Sequence, residues 1–305
     1  MKILITGANG LLGSNLCCLY ANVHEVYATS ITKPSIPNCK NYKLDITDEK
    51  ETALISKISP DLVIHCAALV NVDYCEEHES ETELVNTTGT KNIAKEAAKT
   101  GIFLIHISTD AVFDGAKGNY SEEDAVSPIN VYAKSKLRAE EYIKEFANTA
   151  VIRTNIYGWN RTDKVSLAEW IINKLKKKEI VNGFKDVYFT PILVNNLAEA
   201  LLEVYDIKYH GILNITGSEA CSKYQFAKMI AKVFNFDENL IKPISVDQFN
   251  FKAKRAKNMS LNINKAKTLL KTKLLNIEDG LTEFKSLQNT YLVKLKSESS
   301  NNSSS

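Results

Sequence analysis

Short apolar runs separated by amphipathic stretches set the rhythm of the first half of the chain. The runs Ile3–Thr6, Glu25–Ala28, Leu62–His65 and Phe103–Ser108 read as strands, and Ala150–Arg153 follows them. Between them lie Leu11–Tyr20, Glu83–Thr100 and Val131–Phe146, which read as amphipathic helices. Buried strands alternating with helices imply a parallel sheet covered on both faces. The expected fold class is therefore α/β, a doubly wound parallel sheet. Gly101, after the helix ending near Thr100, fits a C-terminal stop before the next strand.

After Arg153 the rhythm loosens. Leu167–Lys178, Asn196–Tyr205 and Ser222–Phe234 read as helices, Gly211–Ile215 as a late strand able to rejoin the main sheet, and Val246–Leu261 as extended and basic. The division this predicts is one unit over 1–155, with segments near 184–216 returning to it. A small, discontinuous C-terminal lobe is then expected over most of 156–290. The stretch 296–305 is rich in Ser and Asn and is expected to be disordered.

Composition narrows the partners. With 38 Lys+Arg against 36 Asp+Glu, no global field points to nucleic acid or to an anionic membrane. A small-molecule partner fits better. The six cysteines are scattered without a CxxC pair, which argues for reduced thiols in a cytoplasmic protein and against a zinc site or a disulfide framework. Strand-like sequence from Lys2 leaves no room for a signal peptide, and no apolar run approaches a membrane span.

The first strand runs directly into Gly7-Ala8-Asn9-Gly10-Leu11-Leu12-Gly13 and then a helix. In that context glycines serve a tight turn, a close approach of backbone to phosphate, and close packing of helix on strand. The exposed N–H groups of the helix start suit a dinucleotide pyrophosphate. The unit 1–155 thus reads as a dinucleotide-binding domain and the later lobe as substrate-binding. An acid at the end of the second strand would bind the adenosine ribose of NAD, but Thr29 and Ser30 stand there and Glu25 lies at the other end. Ser30, Thr32 and Lys33 suit a 2′-phosphate, so the expected cofactor is NADPH, with NADH the alternative.

Tyr132 and Lys136 lie four residues apart in NVYAKSKLRAEE, which puts them on one helix face. An ammonium near a phenol favours the phenolate and readies it for proton exchange with an alcohol oxygen. The run Phe103–Ser108 leads into Ser108-Thr109-Asp110 at the strand edge that faces the ligand crevice in a doubly wound fold. Thr109 there can orient a carbonyl; Asp110 fits a cap or turn equally well.

With GANGLLG, LDITD, DLVIHCAALVNVDYCEEH, LVN, STDAVFDG, YSEEDAVSPINVYAKSK, RTNIYG and KNMSLN in view, the sequence resembles the extended short-chain dehydrogenase/reductases. Within them it is most similar to the dTDP-4-dehydrorhamnose reductase-like proteins, a sugar-nucleotide-binding family that also includes the methionine adenosyltransferase β subunit. The resemblance spans roughly Met1 to Leu270. It implies a Rossmann-type fold with Gly10, Leu11 and Leu12 on the pyrophosphate, Asp45 and Ile46 at the adenine, and Cys66, Ala67 and Ala68 lining the cofactor. It further implies Asn86 near the nicotinamide, Thr109, Tyr132 and Lys136 as the catalytic set, and Asp110 at the sugar. Arg255, in the basic segment of the second lobe, is a candidate for a substrate diphosphate.

Three departures fall on the sugar side: Ala111 where a tyrosine is common, Ile156 where a tryptophan is frequent, and Arg255-Ala256 in place of Arg-Pro. The function implied is an NADPH-dependent reductase of a nucleotide-linked 4-keto-6-deoxy sugar, a homodimer without metal. Two alternatives are a non-catalytic NADPH-binding regulatory subunit and a sugar-nucleotide epimerase or dehydratase.

Overall fold

Aliphatic side chains fill the central strands because both faces of those strands are covered. This holds for β1 (Lys2–Thr6), β4 (Leu62–His65), β5 (Phe103–Thr109) and β6 (Thr149–Thr154), whose residues are almost all buried. In this computed structural model, residues 1–162 and 164–289 are described; the stretch 296–305, expected to be disordered, lies outside the described residues. β2 (Glu25–Ser30) and β3 (Lys40–Lys43) complete one side of the sheet, and the late strand Gly211–Asn214 completes the other.

The sheet has seven strands, and every neighbouring pair is parallel. From Gly211–Asn214 the order runs β6, β5, β4, β1, β2, β3. This is the Rossmann-like doubly wound order, in which the chain reverses its direction of growth between β1 and β4. The ligand crevice of such a sheet opens outside the carboxyl ends at that reversal.

Helices cover both faces. Leu11–Tyr20 and Val194–Asp206 pack on one, where Leu16, Leu197 and Leu201 are fully buried. Thr90–Lys99 and the neighbouring segments cover the other with Ile93, Ala94 and Ala97. A separate apolar cluster joins helices Leu167–Lys176, Lys223–Phe234 and Ile277–Ser286 around Phe189, Phe226 and Phe284.

Several elements differ from the pattern-based expectation. The strand Lys40–Lys43 has sequence KNYK and lies largely exposed at the sheet edge, so it carries no apolar run. The helix expected over Glu83–Thr100 is two pieces, a π-helix Glu83–Gly89 and an α-helix Thr90–Lys99. At the junction, a Cβ on Gly89 would come within 2.6 Å of Ile46 Cδ1, so the glycine lets the Ile46 side chain pack against the helix. The helix expected to reach Phe146 ends at Ile143, and the one expected to reach Lys178 ends at Lys176. Val246–Leu261 is not extended throughout: it opens with a 3₁₀ turn at Val246–Gln248 and forms isolated bridges at Asn258, to Tyr188, and at Leu261, to Tyr120.

Candidate active site

The glycine loop is built as a cradle. Gly7 has φ +67°, and a Cβ there would lie 2.7 Å from Ala67 N. A Cβ on Gly13 would lie 2.3 Å from Gly7 O, so glycine is what lets the helix sit against the strand end. Gly10 donates its N–H to Gly7 O at 2.8 Å and is the N-cap of helix Leu11–Tyr20. That helix has no side-chain cap bond and no acid in its first turn, so its positive end is open to an anion. Leu11 and Leu12 form the first helical residues, and Asn9 Nδ2 ties the loop to Thr32 O at 2.8 Å.

The loop leaving β2 begins at Ser30, beside the exposed Thr32 and Lys33. Glu25, at the far end of β2, is bound to Lys40 and Tyr27. Asp45 Oδ1 accepts from Thr47 N at 2.9 Å and Thr47 Oγ1 at 2.7 Å, which fixes the turn carrying the buried Ile46. Asn92 Nδ2 secures the same turn through Ile46 O at 3.0 Å.

Cys66, Ala67 and Ala68 follow β4 directly and are half-buried. Ala67 N donates to Thr6 Oγ1 at 3.2 Å, joining the ends of β1 and β4. Burial pushes the Cys66 thiol up to about 12, so it is neutral at pH 7. Asn86, in the π-helix, accepts from Leu69 N at 2.8 Å and donates to Leu69 O and Ser135 Oγ, each at 3.0 Å. Its amide is thus engaged in holding the loop after β4 against helix Val131–Ile143.

That helix, Val131–Ile143, carries Tyr132 and Lys136. Asn130 caps it, accepting from Ala133 N at 2.9 Å, and Ser135 Oγ bonds to Tyr132 O at 2.7 Å. Tyr132 is pushed up to about 12 by burial and by the charge of Asp110, opposed by a hydrogen bond with Thr109. Lys136 Nζ donates to Ile107 O at 2.8 Å and lies 3.0 Å from His106 Nε2. Burial brings the lysine down to about 8, against the favourable charge of Glu140. The structure therefore joins Thr109 to Tyr132 directly, whereas the Lys136 ammonium is held on β5 rather than on the phenol.

The histidines behind Lys136 were not anticipated from sequence. His106 and His65 lie with ring centroids 5.3 Å apart and planes tilted by 33°, and His65 bonds to Thr6 Oγ1 and Thr90 Oγ1. Burial and the Lys136 charge drive both far below the usual histidine range, His65 to about 3, so both are neutral at pH 7. A histidine in an apolar strand run gives no sequence sign of what it faces.

On the other side of Thr109 lies Asp110, almost fully buried. Its Oδ1 accepts from Thr109 Oγ1 at 3.1 Å and its Oδ2 from Asn155 Nδ2 at 2.7 Å. Burial raises it to about 6, opposed by those bonds and by Lys223. Arg255 is turned onto Asp73, with Nη2 to Oδ2 at 2.8 Å, and its guanidinium lies over Phe251. It thus ties the segment around Phe251 to helix Val72–Glu77 in this conformation.

Residues 1–289 match the model of the RmlD substrate binding domain. The chain is 30% identical over 298 residues to a probable low-salt glycan biosynthesis reductase of Haloferax volcanii, covering 95% of this chain and 99% of that protein. It is 32% identical over 278 residues to the methionine adenosyltransferase 2 subunit beta of Rattus norvegicus, covering 88% and 82%. It resembles the dTDP-4-dehydrorhamnose reductase of Bacillus anthracis solved in complex with NADP, at TM-score 0.84 and 28% identity over 93% of this chain and 98% of that one.

Proposed function

The chain belongs to the RmlD substrate binding domain family, and from that premise we propose that it is an NADPH-dependent reductase of a nucleotide-linked 4-keto-6-deoxy sugar. The observation that carries the reading is the Thr109–Tyr132 hydrogen bond, with Lys136 one helical turn on, at the same carboxyl sheet edge as the glycine cradle. Similarity to reductases over nearly the whole chain supports it.

The cradle fits a dinucleotide on its own geometry, since side chains at Gly7 and Gly13 would fill it. Gly7, Asn9, Gly10, Leu11, Leu12 and Gly13 would hold the pyrophosphate. Asp45 and Ile46 would flank the adenine, Ser30 with Thr32 and Lys33 the 2′-phosphate, and Cys66, Ala67 and Ala68 the inner wall. NADPH bound there supplies a hydride to the keto carbon. Tyr132 donates its proton to the carbonyl oxygen, Thr109 orients that oxygen, and Lys136, held on β5 through Ile107 O, binds the ribose as a cation. The lobe around Phe189, Phe226 and Phe284 would complete the sugar side, and the protein would work as a cytoplasmic dimer, as the resemblance implies.

Screening keto-sugar nucleotides while following NADPH absorbance tests the reading. Stoichiometric oxidation with one of them is the expected result, and no oxidation with any of them overturns it.

Cofactor preference follows from the absent acid at the end of β2. NADPH is expected to bind roughly tenfold or more tightly than NADH, the scale of one charge-assisted hydrogen bond. Fluorescence titration measures both, and equal or tighter NADH binding removes the Ser30–Lys33 assignment.

The pH dependence has a definite sign. Lys136, lowered to about 8, is charged below that pH and neutral above it, while Tyr132 at about 12 stays protonated. In the reductive direction kcat/KM for NADPH should therefore fall above about pH 8, by roughly tenfold per pH unit. A plateau reaching pH 10 would show that the Lys136 charge is not needed.

One relative supports a second reading. The similarity to a methionine adenosyltransferase subunit favours a regulatory protein that binds NADPH without turnover. Co-purification with a synthetase, with no NADPH oxidation by any keto-sugar nucleotide, would select it.

A further inference from the structure

Thr6 on β1, His65 on β4 and His106 on β5 are register partners, so three polar side chains stand in a row across an otherwise apolar sheet. Hydrogen-bond partners fix the protons of this row. The Thr90 hydroxyl spends its hydrogen on Asn86 O at 2.6 Å, so His65 Nε2, 3.0 Å away, donates to Thr90 Oγ1. At the other side of the ring, Nδ1 accepts from Thr6 Oγ1 at 2.7 Å, and that oxygen in turn accepts from Ala67 N. Both nitrogens of His65 are committed, with one proton on Nε2 and none on Nδ1.

His106 is committed on one side only. An ammonium donates and never accepts, so His106 Nε2, 3.0 Å from Lys136 Nζ, is the acceptor and the ring proton sits on Nδ1. That N–H is buried and makes no hydrogen bond among the described residues. A buried donor left without an acceptor weakens a fold. Packing alone is therefore a poor reason for a histidine at this place, since a ring without nitrogens would fill it at no such cost.

We propose that His106 is a positioning residue for Lys136, a neutral acceptor that fixes the ammonium in place for the cofactor ribose. The inference rests on the reductase reading above, in which Lys136 binds that ribose, and deepens it. Ile107 O at 2.8 Å and His106 Nε2 at 3.0 Å take two N–H groups of the ammonium, which leaves the third for a ribose hydroxyl. Neither acceptor carries a charge. A carboxylate in place of the imidazole would hold the amine as firmly but offset its positive charge, whereas the imidazole sets the position and leaves that charge to the cofactor. The other titratable groups around the amine are Glu140 on its own helix, paired with Arg153 on β6, Cys66 after β4, and His65 beside His106. None of them takes a hydrogen bond from Nζ among the described residues.

The test is fluorescence titration with NADPH across neutral and alkaline pH, for wild type, His106→Phe and His106→Gln. Phenylalanine keeps a ring and removes the acceptor, while a glutamine Oε1 reaches about as far from the backbone as Nε2. At pH 7 the expected result is NADPH binding weakened roughly 10- to 100-fold in His106→Phe, on the scale of a hydrogen bond to a charged group. Its alkaline loss of affinity should begin below the wild-type value of about pH 8, because the protonated amine has lost an acceptor. His106→Gln should bind within about threefold of wild type and recover the alkaline limb. Thermal unfolding shows that the variants are folded. Wild-type affinity and an unshifted limb in His106→Phe overturn the proposal while leaving the reductase reading intact. Equal loss in both variants also overturns it, because the ring would then serve packing. Ring ¹⁵N spectra of the wild type probe the same contact without a substitution: a proton on His106 Nδ1 is expected, and a proton on Nε2 overturns the proposal. A wild type that binds no NADPH removes the underlying reading, and the proposal with it.

Discussion

Replacing Tyr132 by phenylalanine is expected to lower kcat by roughly 10²–10⁴-fold, the usual contribution of a positioned general acid, with NADPH affinity unchanged. The phenol is a protonated side chain hydrogen-bonded with Thr109 at the sheet edge. Its backbone is fixed independently of the hydroxyl, through Ser135 Oγ on Tyr132 O and the Asn130 cap at the helix start. The ring should therefore stay in place when the oxygen is lost. Turnover near wild type would transfer the proton-donor role to another group, and a matching loss of NADPH binding would make Tyr132 a cofactor residue instead. Thr109→Val should show a smaller loss in the same direction, because it removes only the hydroxyl that orients the carbonyl.

Replacing Glu140 by glutamine is expected to cost about 3–5 kcal/mol of stability, as breaking a buried ion pair from one side does. Glu140 is wholly buried and Arg153 nearly so, with Nη2 2.7 Å from Oε2 and Nε 3.1 Å from Oε1. Ser108 Oγ donates to the same carboxylate, and Phe113 lies against the guanidinium. The neutral amide would leave the arginine charge buried without its partner. Urea denaturation measures the loss, and a change below about 1 kcal/mol would contradict the account. Glu140→Leu combined with Arg153→Met should recover much of it, since paired apolar replacement removes both charges together. Glu140 also favours the charged form of Lys136. The alkaline limb of the rate profile should therefore move below pH 8 in the glutamine variant, a readout that stability alone would not shift.

The legible parts of the fold are those where one physical rule dominates. β4 and helix Leu11–Tyr20 have the ends expected from sequence, because a strand buried on both faces is an unbroken apolar run and a glycine marks the helix start. Strand Lys40–Lys43 was invisible because a hydrated edge strand needs no apolar residues. The π-helix Glu83–Gly89 was invisible because helical periodicity is counted in α turns.

The site divides in the same way. Thr109 and Tyr132 meet because one ends a central strand and the other opens the helix beside it, a local relation that the sequence order carries. Asn155 obeys the same rule at the end of β6 and was open to the same inference, but an asparagine in RTNIYG has no special look. Arg255 stood out as a cation, and only the fold shows that Asp73 holds it.

The Asn86 side chain sets how accurately the site can be assembled. From Leu69 N, on the loop proposed to line the cofactor, one passes to Asn86 at 2.8 Å, to Ser135 Oγ at 3.0 Å and to the backbone of Tyr132 at 2.7 Å. In a jointed mechanism, play accumulates with every link between two working parts. Here the loop proposed to line the cofactor and the backbone of the proposed proton donor are separated by two side chains. The spacing of the two segments is therefore set by those two side chains and not by the packing of the second lobe.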